Sequence, residues 1–240
     1  MSATSSAGLP AGMHKPAARA IMFALNPETA ALLRDCFRQF GVDAIPEEDR
    51  SGARLQREKF EACVVSLEDP MAAQLMQTAR TSPSNHRILI YGLASSTMQA
   101  LSYSKYGVNA IIDVPVNRSS ALKVVRGSHL LVLNELRRYA RVPIVTQVRL
   151  ETEQRNFDAV TVEISAGGLS LRTDRSLLMN SSVGLTFTLP DASGTKASEI
   201  KVRGVVAWVN AQDQRVGIRF DPADQRRAAV KQWVDKYLDI

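Results

Sequence analysis

Two rhythms of hydrophobic and polar positions divide the chain. In the first half, four short runs, AIMFAL (20–25), ACVVSL (62–67), RILIYG (87–92) and AIIDV (110–114), are too continuously apolar to leave a solvent face, and they predict buried strands. Between the first two lies PETAALLRDCFRQFG, where Ala31, Leu32, Asp35, Cys36 and Gln39 recur at helical spacing, with Pro27 near the start and Gly41 at the end. That spacing predicts a helix. Strand, helix, strand in series implies a parallel sheet covered by helices, an α/β class.

After Asn117 the segment RSSALKVVRGSHLLVLNELRRYAR places Leu122, Val125, His129, Val132, Leu136 and Tyr139 three and four residues apart, one apolar stripe along a long helix. Gly127 weakens this helix by roughly 1 kcal/mol relative to alanine without having to break it. The stripe serves either as core or as the seam of a homodimer. Beyond Pro143 the period changes to two. IVTQVRL (144–150), AVTVEI (159–164), LSLRT (169–173), VGLTFTL (183–189), IKVRGVVAWV (200–209) and RVGIRF (215–220) are half-buried strands joined by short turns, which implies a closed antiparallel barrel or a sandwich. A terminal helix puts Ala229, Val230, Trp233, Val234, Tyr237 and Leu238 on one face, with Trp233 and Tyr237 as packing anchors.

Composition narrows this picture only a little. A length of 240 residues makes two domains the default, and 45% hydrophobic with 22% charged residues is ordinary for globular chains. The formal charge of +6 favours an anionic partner, but the basic residues are scattered, so no nucleic-acid surface is expected. Cys36 and Cys63 sit in apolar patterns that read as core, which fits a reducing cytoplasm. His14, His86 and His129 lie far apart with no zinc-like pattern around them, so neither metal nor cofactor is expected. Residues 1–17 are rich in Ser, Ala, Gly and Pro and read as a flexible tail. No run of 18 apolar residues occurs, so no membrane insertion is expected.

Candidate chemistry concentrates in two places. LRRYARVPIV (136–145) sets three arginines around one tyrosine, and an arginine's planar, permanently charged fork suits phosphate oxygens and the flat faces or edges of bases. The plainer use of such residues is a solvated basic helix end. VEISAGGLSL (162–171) is a strand that turns on a serine and two adjacent glycines. Glycine there permits a positive φ or close approach of a ligand, and Ser165 supplies a hydroxyl. There is no Ser/His/Asp array, paired acidic site, phosphate loop or metal motif, so an enzyme is not expected.

The first half resembles the receiver domain of two-component response regulators, over roughly residues 18–135, most closely in FEACVVSLEDP (60–70). The resemblance lapses at its chemistry. The phosphoacceptor aspartate falls on Ser66, the acidic magnesium-binding pair near Leu25 and Asn26, the switch hydroxyl near Gly92, and the lysine before proline on Val114, next to Pro115. It implies a receiver-like (flavodoxin-like) domain that cannot be phosphorylated.

The second half resembles the PilZ domain, the bacterial cyclic di-GMP receptor, over about residues 136–225. That family pairs an RxxxR motif with a (D/N)xSxxG motif. Here Arg137 and Arg141 carry the first, with Arg138 between them, and Glu163, Ser165, Gly167 and Gly168 fall in the second. The resemblance implies that the arginines grip phosphate and guanine and that Glu163 hydrogen-bonds guanine. Glu163 departs from the family's Asp or Asn, and its extra methylene moves the carboxylate by about 1.5 Å.

The expected organisation is therefore a tail over 1–17, a pseudo-receiver α/β domain over 18–117, a long helix and arginine linker over 118–142, and a PilZ β-barrel with its C-terminal helix over 143–240. The expected function is a non-catalytic cytoplasmic receptor for cyclic di-GMP that acts on an unidentified output protein. The alternatives are a PilZ interaction module with a degenerate nucleotide site, and a nucleic-acid-binding regulator suggested by the net charge.

Overall fold

The computed structural model describes residues 17–190 and 197–238. Residues 1–16 of the expected tail lie outside the described residues. The chain divides into two compact units, Ala17–Leu136 and the residues from Arg137 onward. Each is described by itself.

The first unit is a five-stranded parallel sheet: β1 (Ala18–Phe23), β2 (Val42–Glu47), β3 (Ala62–Ser66), β4 (Leu89–Ala94) and β5 (Ala110–Asp113). Their order, β2-β1-β3-β4-β5, is the doubly wound flavodoxin-like topology of receiver domains. The helices are α1 (Pro27–Arg38), α2 (Ala53–Arg57), α3 (Ala72–Thr81), α4 (Thr97–Ser102) and α5 (Arg118–Tyr139). Asn26 starts α1 by accepting a hydrogen bond from the Thr29 amide at 2.8 Å, with Pro27 as the first helical residue.

The strand β2 carries no apolar run, so the sequence pattern passes over it. It is the sheet edge, with a half-exposed face bearing Asp43 and Glu47, and Pro46 is tolerated there. The helix expected after β1 is present as α1, and it buries Ala30, Leu33, Cys36 and Phe37. Phe37 decides the rotation, because its ring packs edge-on against Tyr91 at 5.3 Å. In α5 the buried face is Ala121, Val125, Ser128, Val132, Glu135 and Leu136. The two polar members are satisfied: Ser128 Oγ lies 2.7 Å from the Tyr91 hydroxyl, and Glu135 accepts from Lys59 at 2.9 Å.

The second unit contains β6 (Val142–Pro143), β7 (Gln147–Glu151), β8 (Asn156–Ser165), β9 (Gly168–Arg172), β10 (Ser182–Pro190), β11 (Ala197–Asn210), β12 (Arg215–Phe220) and α6 (Arg227–Leu238). The order β6-β8-β7-β10-β11-β12-β9, together with a β8–β9 pairing, closes six strands into an antiparallel barrel with β6 appended. Val148, Leu150, Leu169, Leu171, Phe187, Val216, Ile218 and Phe220 fill its interior. On α6, Val230, Val234 and Leu238 are buried, Trp233 donates its indole N–H to the Pro190 carbonyl, and Tyr237 stacks on Trp233. Among the described residues, no helix is long and apolar enough to cross a membrane.

Candidate functional site

Arg141 lies between two buried residues, Ala140 and Val142, which pack against Val234 and Leu238 of α6. Its side chain is therefore turned outward. Strand β6 pairs Val142 with Ile164 and Pro143 with Glu163, which brings Arg141 to the end of β8. There Arg141 Nη1 donates to Glu163 Oε1 at 3.0 Å.

Strict alternation along β8 would place Thr161 and Glu163 on the same side of the sheet. The register between β8 and β9 slips by one residue between them, so Thr161 faces Leu171 while Glu163 faces Ser170. This β-bulge turns Glu163 to the outer surface. The Thr161 hydroxyl occupies the gap, donating to the Ile144 carbonyl and accepting from the Thr146 amide at 2.9 Å.

A second arginine converges on the same carboxylate. Arg215, the first residue of β12, donates to Ser170 Oγ at 3.1 Å and lies 3.7 Å from Glu163 Oε1. Its Nε is buried and has no hydrogen-bond partner among the described residues. Two positions along the same outward face, Gly217 underlies the indole of Trp208. A Cβ at Gly217 would sit 2.1 Å from that ring. Trp208 is 37% exposed and follows a register shift in β11. Glu163, Ser170, Arg215 and Trp208 thus form one patch on the barrel's outer wall.

The two glycines of the second motif differ in what they do. Neither adopts the left-handed region, so of the two uses of glycine named for this turn a positive φ is not the one found. Gly168 is required by packing, because a Cβ there would lie 2.2 Å from the Ile218 carbonyl oxygen of β12. A Cβ at Gly167 would meet nothing within 4 Å. The Ser165 hydroxyl, expected to face a ligand, donates to the Gly168 carbonyl at 2.9 Å and closes the turn.

The three arginines of the first motif point to three places. Arg141 joins the patch. Arg137 Nε lies 3.4 Å from Asp235 Oδ1 on α6. Arg138 lines a cleft with Gly167 and the start of α6. Sequence reasoning missed Arg215, Ser170 and Trp208. The period-two pattern places Arg215 on the outer face, but only the closed register brings it to Glu163.

In the first unit, Ser66 ends β3 opposite Leu93. Asn26 is occupied in capping α1, and the Val114–Pro115 peptide is cis. Gly92 lies inside β4, paired with Val65 and Ile111, and the strand continues to Ala94. The hydroxyls beyond that end are used locally: Ser96 accepts from the Gln99 amide, and Ser95 donates to the Gln99 side chain at 3.3 Å. Asp69 is ion-paired to Arg50 at 2.7 Å.

The fold is a closed antiparallel barrel that follows a receiver-like α/β unit. Residues 135–236 match the model of the PilZ domain, so the chain carries a PilZ domain over somewhat less than half its length. A comparison with curated proteins finds no match. Among solved structures, the chain is similar to the inhibitor of motility MotI/DgrA of Bacillus subtilis, with 20% identity over 41% of this chain and 49% of that one, at a TM-score of 0.34. It spans about half of that protein's length. It is also similar to the chemotaxis response regulator CheY4 of Vibrio cholerae, with 14% identity over 47% of this chain and 98% of that one, at a TM-score of 0.43. The receiver domain of the sensor histidine kinase PA1611 from Pseudomonas aeruginosa PAO1 shows 14% identity over 48% and 98%, at a TM-score of 0.41.

Proposed function

We propose that the protein is a non-catalytic receptor for cyclic di-GMP, which docks on the outer wall of the barrel against Arg137, Arg138, Arg141, Glu163, Ser165, Gly167 and Gly168. The observation that carries this reading is the placement of Glu163 between the guanidinium groups of Arg141 and Arg215. A guanine offers N1 and N2 donors to the two carboxylate oxygens, and a phosphate accepts from the Arg141 fork. The ligand then exchanges one exposed ion pair, worth under about 1 kcal/mol, for two charged contacts. Trp208 supplies an indole face on which a base stacks.

In this reading the ligand draws on residues at and just beyond the end of α5, which runs from one compact unit into the other. Occupancy changes how that helix end is held, and the change passes to an unidentified output protein. Titration calorimetry with cyclic di-GMP is the test. Micromolar or tighter binding supports the reading, and absence of heat and of any thermal shift at hundreds of micromolar overturns it.

A second reading is an interaction module with a closed nucleotide site. It is favoured by one observation: Arg137 and Arg141 both already lie against carboxylates of the same unit, Asp235 and Glu163. The same titration separates the two.

A further inference from the structure

Beyond the Glu163 patch, the unit holds a second basic feature. Arg138, Ala166, Gly167, Gln225, Arg227 and Lys231 line an open cleft of about 690 Å³, and none of the described residues that line it is acidic. Arg227 and Lys231 stand four residues apart on α6, one turn above the other on one face. Both are exposed, and neither makes an ion pair among the described residues. Elsewhere in this unit, Arg137, Arg141, Arg203, Arg215 and Arg226 each lie within 4.0 Å of a carboxylate, whereas Arg149, Arg155, Arg172, Arg219 and Lys236, like the cleft pair, make no ion pair among the described residues. Two like charges at helical i, i+4 spacing repel each other, so their pairing on the cleft wall is a cost to the helix unless an anion enters between them.

Gly167 is an independent observation. Its backbone is not left-handed, and a side chain there would meet no atom of the protein within 4 Å. The fold therefore does not require glycine at this position, whereas it does at Gly168. A bare residue in the cleft wall leaves room for a ligand to approach the backbone of the turn.

We infer that this cleft is a phosphate subsite, in which Arg138, Arg227 and Lys231 hold a phosphate of a small nucleotide over Gly167. The inference deepens the receptor reading and rests on it for the identity of the nucleotide. The turn Ser165–Gly168 borders both places, so one cyclic dinucleotide can set a guanine at Glu163 and a phosphate here.

The test uses the full chain and three variants: the double change Arg227→Gln with Lys231→Gln, the cleft-filling Gly167→Val, and Arg141→Ala as the control for the Glu163 patch. Cyclic di-GMP is titrated at low and moderate salt. The double variant, which removes a repulsion and should fold as well as the parent, is expected to bind about tenfold more weakly and to lose much of the salt dependence. Gly167→Val should weaken binding at unchanged thermal stability. Wild-type affinity and salt dependence in the double variant would overturn the subsite while leaving the receptor reading intact.

Inorganic pyrophosphate is followed in parallel by amide chemical shifts. Saturable shifts at Gly167, Ala228 and Lys231 that vanish in the double variant support the subsite even if cyclic di-GMP does not bind, in which case only the receptor reading fails. No shift with either probe overturns the subsite.

Discussion

Arg141 and Glu163 lie 22 positions apart in sequence and meet at 3.0 Å because β6, only two residues long, pairs with Glu163 and Ile164 near the end of β8. The contact joins the two motifs that the sequence singles out. Arg141 is 56% exposed and Glu163 26% exposed, so the ion pair is screened and contributes little to folding.

This separates binding from stability at Arg141. Arg141→Ala should change the free energy of unfolding by less than about 1 kcal/mol. The same change should weaken cyclic di-GMP binding by about ten- to a hundredfold, the value of one lost charged contact. Denaturant titration and calorimetry on one preparation check both halves. A large loss of stability with affinity retained would make Arg141 a structural residue.

The neighbouring glycines should behave oppositely as alanines. Gly168→Ala drives a methyl into the Ile218 carbonyl of the opposing backbone, which cannot swing aside as a side chain can. It should cost about 1 to 3 kcal/mol. Gly167→Ala meets nothing and should stay within about 0.5 kcal/mol of the parent. Equal melting temperatures for the two variants would mean that the close approach of β9 and β12 is absent.

Glu61 in the first unit provides a pH signature. It is buried beside Lys59 and Glu135, accepts from the Arg19 amide at 2.7 Å, and burial pushes its carboxyl above the ordinary value of 4.5. With a folded value above the unfolded one, its favourable contribution is complete below about pH 4.5 and is lost as pH rises through the folded value. Glu61→Gln resembles the protonated form and keeps an acceptor for the Arg19 amide. The variant should therefore gain stability relative to the parent as pH is raised from 4 toward 7. Denaturation midpoints across that range are the measurement, and a difference that stays constant or changes sign would contradict the assignment.

Much of the barrel is legible in sequence because inward and outward residues alternate cleanly, as in RVGIRF, where Val216, Ile218 and Phe220 all face the core. Strand β2 is not legible, since an edge strand with Asp43, Pro46 and Glu47 has no apolar run to announce it. The buried face of α5 is legible in part: Val125, Val132 and Leu136 of the stripe are buried, but its polar members are missed for a different reason. Ser128 and Glu135 look like surface residues, yet each is buried against a partner, Tyr91 or Lys59, that lies far away in the chain. At the candidate site, the residues themselves single out the arginine cluster and the Ser165 turn, and Glu163 enters through the family resemblance. Neither reveals Arg215, Ser170 or Trp208, because their convergence depends on barrel closure and on register shifts in β8 and β11 that no periodicity encodes.

Glu163 itself offers the sharpest test, because it stands where the family has a shorter acid or amide. Glu163→Asp withdraws the carboxylate by about 1.5 Å, out of reach of Arg141, but keeps its charge and both acceptors. If a guanine is the partner, this variant should match or exceed the parent's affinity, since the guanine no longer competes with the Arg141 contact and meets the family's geometry. Glu163→Ala removes both acceptors, and binding should fall by about 1 to 3 kcal/mol as a guanine donor is left unpaired. If Glu163 serves only as the counter-ion of Arg141 and Arg215, the order reverses: both variants free the two arginines for phosphate, and Glu163→Ala should bind at least as tightly as the parent. Calorimetric titration of the three proteins at one salt concentration, with folding checked by circular dichroism, decides between a carboxylate that reads guanine and one that holds the arginines in place.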